Sequence, residues 1–145
     1  MPGETFNLTE DYVLEGYSTY ELTLTVNDSV SGLPFNLSFA DRIEAVFRDG
    51  TTSEPGSTVL LTVAYSATDP YPDSGIRILA PATAGNVHMV ISAEDTKALQ
   101  DADTTSGVWD IVAYTNATGS GNSEQKKLIK TSTWSLEKTS TQVTP

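Results

Sequence analysis

A chain of 145 residues, 38% hydrophobic and 19% charged, carries material for one hydrophobic core, read as a single domain over 1–145. Its 19 acidic and 8 basic side chains give a formal net charge of −11, which disfavours nucleic-acid phosphates and anionic membranes and leaves basic partners open. There is no cysteine, so disulfides and thiolate metal sites are excluded and redox chemistry says nothing of the compartment.

The start, Met1-Pro2-Gly3-Glu4, has neither the basic residues nor the apolar run of a signal peptide, and no apolar stretch approaches the length of a membrane helix. The expectation is a soluble product of cytoplasmic synthesis. Phe6 and Leu8 alternate as at the opening of an edge strand, and Tyr17 falls in the loop that follows. From Tyr20 the alternation is regular. Tyr20, Leu22, Leu24 and Val26 share one face and Glu21, Thr23 and Thr25 the other, as in a half-buried antiparallel strand. Asn27, Asp28, Ser29 and Gly32 form a turn cluster, after which Pro34 returns the chain with Phe35, Leu37 and Phe39 in alternation. Ile43, Ala45 and Phe47 oppose Glu44, Val46 and Arg48 in a further strand, closed by the turn dipeptide Asp49-Gly50.

Residues 50–57 read as polar loop, whereas 58–65, TVLLTVAY, is apolar on both faces. That pattern predicts either a central strand covered on both sides or a strand at a subunit contact. Pro70 and Pro72 make 68–75 a loop ahead of a short strand over 76–79, and 81–86 turns into the segment that organises the chain, 85–114. There Val87, Met89 and Ile91 alternate, Ser92 with Asp95 three residues on caps a short helix over 93–100, and 108–114 is extended again. Residues 116–124, NATGSGNSE, read as a flexible turn between paired strands. The chain resumes over 125–136 with Leu128, Trp134 and Leu136, and is a polar tail from about 138. About seven or eight short strands separated by turns, with one short helix, predict an all-β fold, an Ig-like antiparallel β-sandwich.

No catalytic pattern stands out. His88, the sole histidine, is placed by alternation opposite Val87 and Met89, and lacks both the activated serine of a hydrolase and the companion ligands of a zinc site. A strand-surface role is the simpler reading. Asp101 and Asp103 have the alternate spacing of calcium-loop carboxylates, but an EF-hand would need Gly and Glu where Ser106 and Val112 stand. A calcium site drawing on Asp69 or Asp73 from another loop stays open beside the plainer reading of solvated loop acids. Asn7, Asn27, Asn36 and Asn116 open glycosylation sequons, read as chance matches in a Thr-rich chain. There is no Gly-rich phosphate loop, so no cofactor is expected.

Of the aromatics, Trp109 and Trp134 are read as facing a core or a neighbouring subunit. Tyr12, Tyr17 and Tyr71 remain as platform candidates, with Tyr71, between Pro70 and Pro72, expected to be an exposed contact residue. Val59, Leu61, Val63 and Trp109 complete the set of buried or interface anchors.

The order of pieces resembles small β-sandwich virion proteins of tailed bacteriophages, similar to the N-terminal domain of phage baseplate upper proteins. The pieces are an opening strand with its turn at 20–26, a Pro-x-x-Leu at Pro34 and Leu37, and an arginine-bearing strand at 43–48. A Gly-x-Val strand at 85–91, a Ser-Ala-x-x-Thr helical turn at 92–96, a strand running into Asp110 and a final hairpin within 128–136 follow. The chain departs from the pattern in its polar insertion before Gly107-Val108-Trp109-Asp110 and in Leu128-Ile129-Lys130, where the family carries Leu-x-Gly. The resemblance implies a non-enzymatic structural protein of the virion. Its place would be a tail, baseplate or fibre-attachment adaptor, or a capsid-exterior decoration protein, in contact with other virion proteins and further copies of itself. The alternative expectation is a carbohydrate-binding module that attaches to a host surface glycan.

Overall fold

Strand alternation governs most of the structure. The computed structural model describes residue 8 and residues 13–28, 30–50, 58–66, 71, 73–114, 125–129 and 132–138. Phe6, Tyr12, Asp69, Pro70, Pro72, most of the 50–57 loop, the 116–124 turn and the tail from 139 lie outside the described residues. The elements in chain order are β1 (Leu14–Glu15), β2 (Tyr20–Thr25), β3 (Arg42–Arg48), β4 (Val59–Val63), β5 (Gly75–Ile78) and β6 (Asn86–Ile91). Helix α1 (Ala93–Asp101), β7 (Ser106–Tyr114), β8 (Gln125–Lys127) and β9 (Ser132–Glu137) follow. The protein is thus mostly β, with two sheets and one α-helix among the described residues.

The larger sheet runs β1-β9-β7-β3-β4, with β8 also on β7, and the smaller runs β2-β6-β5. In β3 the expected alternation holds, with Ile43, Ala45 and Phe47 fully buried. β6 points Val87, Met89 and Ile91 inward from the other sheet. These residues join Leu24, Ile76, Leu99, Trp109, Ile111 and Trp134 in a single core cluster drawn from both sheets and the helix. Each such side chain withdrawn from water contributes about 1.5–3 kcal/mol before the entropy of ordering is counted.

At the heart of the core, Phe47 and Trp109 are direct cross-strand partners, their rings stacked 5.3 Å apart at 8°. Trp134 meets Phe47 edge-on at 6.0 Å. The indole N–H of Trp134 donates to the Arg48 carbonyl at 3.1 Å, so the buried donor is satisfied. Gly107, the cross-strand partner of Trp134, makes room for this: a Cβ there would lie 1.9 Å from the Arg48 oxygen.

The α1 cap forms as its sequence suggests. Ser92 is extended, its Oγ accepts the Asp95 N–H at 3.2 Å, and Glu94 and Asp95 place negative charge at the positive end of the helix dipole. Thr96, fully buried, donates to the Ser18 carbonyl at 2.8 Å and accepts the Ser18 N–H, tying the helix to the β1–β2 turn. Gly85, at φ 70, accepts the Val26 N–H at 2.8 Å, and any Cβ there would lie 2.6 Å from the Val26 oxygen.

The structure narrows one expectation and corrects others. Of the two readings of 58–65, β4 is not a central strand: among the described residues it pairs with β3 alone, and Val59, Leu60 and Leu61 are exposed or partly covered while Val63 is buried. Residues 35–39 form no strand. Phe35 and Leu37 instead donate singly, to the carbonyls of Val26 and Ala82, and Asn36 turns the chain by accepting the Ser38 N–H. The segment 128–136 is no hairpin: β8 lies along Val112–Tyr114 and β9 along Ser106–Trp109, successive stretches of the same partner, β7. Leu128 and Ile129 between them are both buried, which breaks the alternation and divides the strand. Finally, pairing is not wholly antiparallel, since β1 and the isolated bridge at Leu8 both run parallel to β9.

Candidate functional site

The residues singled out as contacts fall into two environments. Val63 and Trp109 lie within the chain's own core, at 0% and 1% exposure, and are therefore unavailable to a partner. Val59, at 46% exposure, and the partly covered Leu61 stand on β4. Among the described residues no strand pairs with the far side of β4, so it ends the larger sheet. Beside it a small groove of about 100 Å³ is lined by Leu60, Leu61, Ala98, Leu99 and Ala102, together with Asp95 and Thr104. An apolar edge strand with an adjoining helix-walled groove is a template for strand addition, with the groove receiving alternate side chains. Sequence reading missed Leu60 and the helix wall, and also Val30 and Leu33, which are 87% and 65% exposed around the 27–34 turn. Only their setting in a turn cluster hinted that these two find no core.

Tyr71 is not the exposed platform expected. Its ring lies over Gly75, where a Cβ would be 2.5 Å from the ring, and stacks on His88 at 5.5 Å and 17°. The Arg77 guanidinium sits 5.1 Å from the Tyr71 centroid. The Tyr71 hydroxyl is 3.0 Å from His88 Nδ1 and 3.2 Å from the His88 carbonyl, while His88 Nε2 meets Glu21 Oε2 at 2.9 Å. Both ring nitrogens of His88 are thus engaged by Tyr71 and Glu21. As alternation suggested, the imidazole stands on the outer face of the smaller sheet, cross-strand from Thr23 and Arg77.

The serine hydroxyls nearest in chemistry serve the helix cap. Ser74 donates to Asp95 and accepts the Ser92 N–H at 2.8 Å. That arrangement orders the loop before β5 against α1.

Asp101 and Asp103 are drawn to cations on the protein itself. The Asp101 carboxylate accepts from Lys97 Nζ at 2.9 Å and from the Tyr17 hydroxyl at 2.9 Å. These bonds, that from Lys97 foremost, hold its carboxyl below the usual range, and Asp101 in turn raises the Lys97 ammonium. Asp103 is paired with Lys138, which lowers it likewise. Among the described residues no three His, Asp or Glu side chains come together as a metal would require. Nor is any described helix long and apolar enough to cross a membrane. No protein-family model matches the chain, and comparison with curated proteins finds no match.

Proposed function

We propose that this chain is a non-enzymatic structural protein of a tailed-phage virion. It is an Ig-like β-sandwich that serves as an adaptor in the tail, baseplate or fibre attachment. The observation that carries this reading is the end of the larger sheet, where Val59 is exposed and the partly covered Leu60 and Leu61 line the α1 groove. The occupant is an extended segment of a neighbouring virion protein, paired to β4 through its main chain, with an apolar side chain in the groove. A net charge of −11 on each copy opposes self-pairing in solution and favours a segment flanked by basic residues. The order of sequence pieces, from the Tyr20 strand through the Ser92 helical turn, supports the same assignment.

The test is mass spectrometry of purified particles, with antibody-gold labelling of the same particles. The chain is expected among the particle proteins, with label at the tail or its tip. Label spread over the head would move the assignment to a capsid decoration protein, and absence of the chain from purified particles would remove the virion role.

A further inference from the structure

Helix α1 ends beside the groove at β4 in a reversal that also receives the end of β9. The Asp103 N–H donates to the Gln100 carbonyl at 2.9 Å and the Thr104 N–H to the Leu99 carbonyl at 3.0 Å, with Asp103 left-handed at φ 58, the bonding by which a chain turns off a helix. Ala102 and Thr104, on either side of Asp103, line the groove with Leu60 and Leu61. β9 is fastened to the same reversal twice. The Leu136 N–H donates to the Thr105 carbonyl at 2.7 Å, and the Lys138 ammonium pairs with the Asp103 carboxylate. The chain beyond Lys138 therefore sets out next to the mouth of the groove.

The residues that follow, 139–145, Thr-Ser-Thr-Gln-Val-Thr-Pro, suit the groove by charge, backbone and size. They carry no charge in a protein of net charge −11, so they bring no carboxylate against Asp95 in the groove lining. Thr and Val favour the extended backbone that an open sheet edge accepts. Val143 is the branched aliphatic residue among them. A groove of about 100 Å³, well under the roughly 300 Å³ at which small-ligand sites begin, has room for one such side chain. Reach is sufficient: from Lys138 to Val143 an extended chain spans roughly 17 Å, whereas the helix wall from Asp95 to Ala102 is roughly 10 Å long.

We propose that in the free chain residues 139–145 fold back along β4 as a strap, with Val143 in the groove between Leu60, Leu61 and Leu99, and that an incoming partner strand displaces it. As regulation of the docking edge the inference rests on the virion reading for its purpose, while occupancy of the groove is a property of the free chain. A strap on so short a tether competes at an effective concentration of about 1 mM, which closes the edge to other copies in dilute solution and opens it to a segment that binds more tightly.

The test compares amide shifts of the ¹⁵N-labelled full chain with those of a chain ended after Lys138, using the synthetic peptide Lys-Thr-Ser-Thr-Gln-Val-Thr-Pro as probe. Removing the tail is expected to shift the amides of Leu60, Leu61, Ala98 and Leu99, and the peptide to reverse those shifts at roughly millimolar concentration. A strap in place about nine-tenths of the time makes the full chain hold the peptide about tenfold more weakly than the shortened one. Val143→Asp in the full chain should reproduce the shifts of the shortened chain and Val143→Ile should not, with the remaining spectrum intact in both. Identical amides at these four positions in the full chain, the shortened chain and Val143→Asp would overturn the strap. So would full-chain shifts that move toward those of the shortened chain on dilution, which would assign the groove to the tail of a second copy. Particle incorporation decides the virion reading separately: groove shifts in a chain missing from particles would keep the strap and remove its purpose, and particles that contain the chain without such shifts would remove the strap alone.

Discussion

Two aromatic stacks in this protein have similar geometry and opposite surroundings. Phe47 lies on Trp109 at 8° in the centre of the core, with every ring fully enclosed. Tyr71 lies on His88 at 17° on the outer face of the smaller sheet, with Arg77 on the Tyr71 ring and Glu21 on the imidazole. The first stack holds by area withdrawn from water, with the Trp134 indole bonded to the Arg48 carbonyl beside it. The second is held by polar handles, so its rings are fixed without being hidden. Aromatic packing therefore sets stability in one place and positions a guanidinium in the other.

The largest expected break in that contrast is Trp109→Ala, which empties the inner stack and should cost about 3–5 kcal/mol in denaturant unfolding. Gly107→Ala should follow at about 1–3 kcal/mol. Its methyl collides with the Arg48 backbone oxygen, which cannot swing aside, and crowds the Trp134 indole. Tyr71→Phe keeps the outer stack but removes the hydroxyl shared with His88, for a loss of about 1 kcal/mol, and should leave near-ultraviolet signals of the tryptophans unchanged. A loss as large as that of Trp109→Ala would erase the distinction between the stacks.

The smallest effect concerns pH at the end of α1. Asp101 is held low by Lys97 and Tyr17, so its stabilising contacts are complete above the ordinary carboxylate range. They are lost as pH falls through the lowered value in the folded chain. In a carbon-detected titration the Asp101 midpoint should rise in Lys97→Gln, and by less in Tyr17→Phe. An unmoved midpoint would show that the helix end owes nothing to these bonds.

Sequence alternation revealed β2, β3 and β6 because each sets polar residues on one face, and the Ser92 cap marked α1. It left two readings of β4 open because Val59, Leu60 and Leu61 are apolar on both faces, a pattern common to a covered central strand and a bare edge. It misjudged Tyr71 because neighbouring prolines indicate a loop without saying where the ring lies. The space that receives the ring is Gly75, and the partner beneath it, His88, is 17 residues away. The Arg42–Tyr65 pair likewise arises only when β3 and β4 lie side by side, and the Arg77–Tyr71 pair only when the loop before β5 folds back over it. The division of β8 from β9 was hidden for a related reason: both Leu128 and Ile129 find burial in a pattern that alternation alone forbids.

The account rests most heavily on the open side of β4, and Val59→Lys tests it directly. Lysine on an exposed edge leaves the fold intact and blocks strand addition by charge and bulk. Its incorporation into particles, measured against the unaltered chain by quantitative mass spectrometry, should fall to background while the purified variant keeps its melting temperature. Incorporation at the level of the unaltered chain would contradict assembly through this edge.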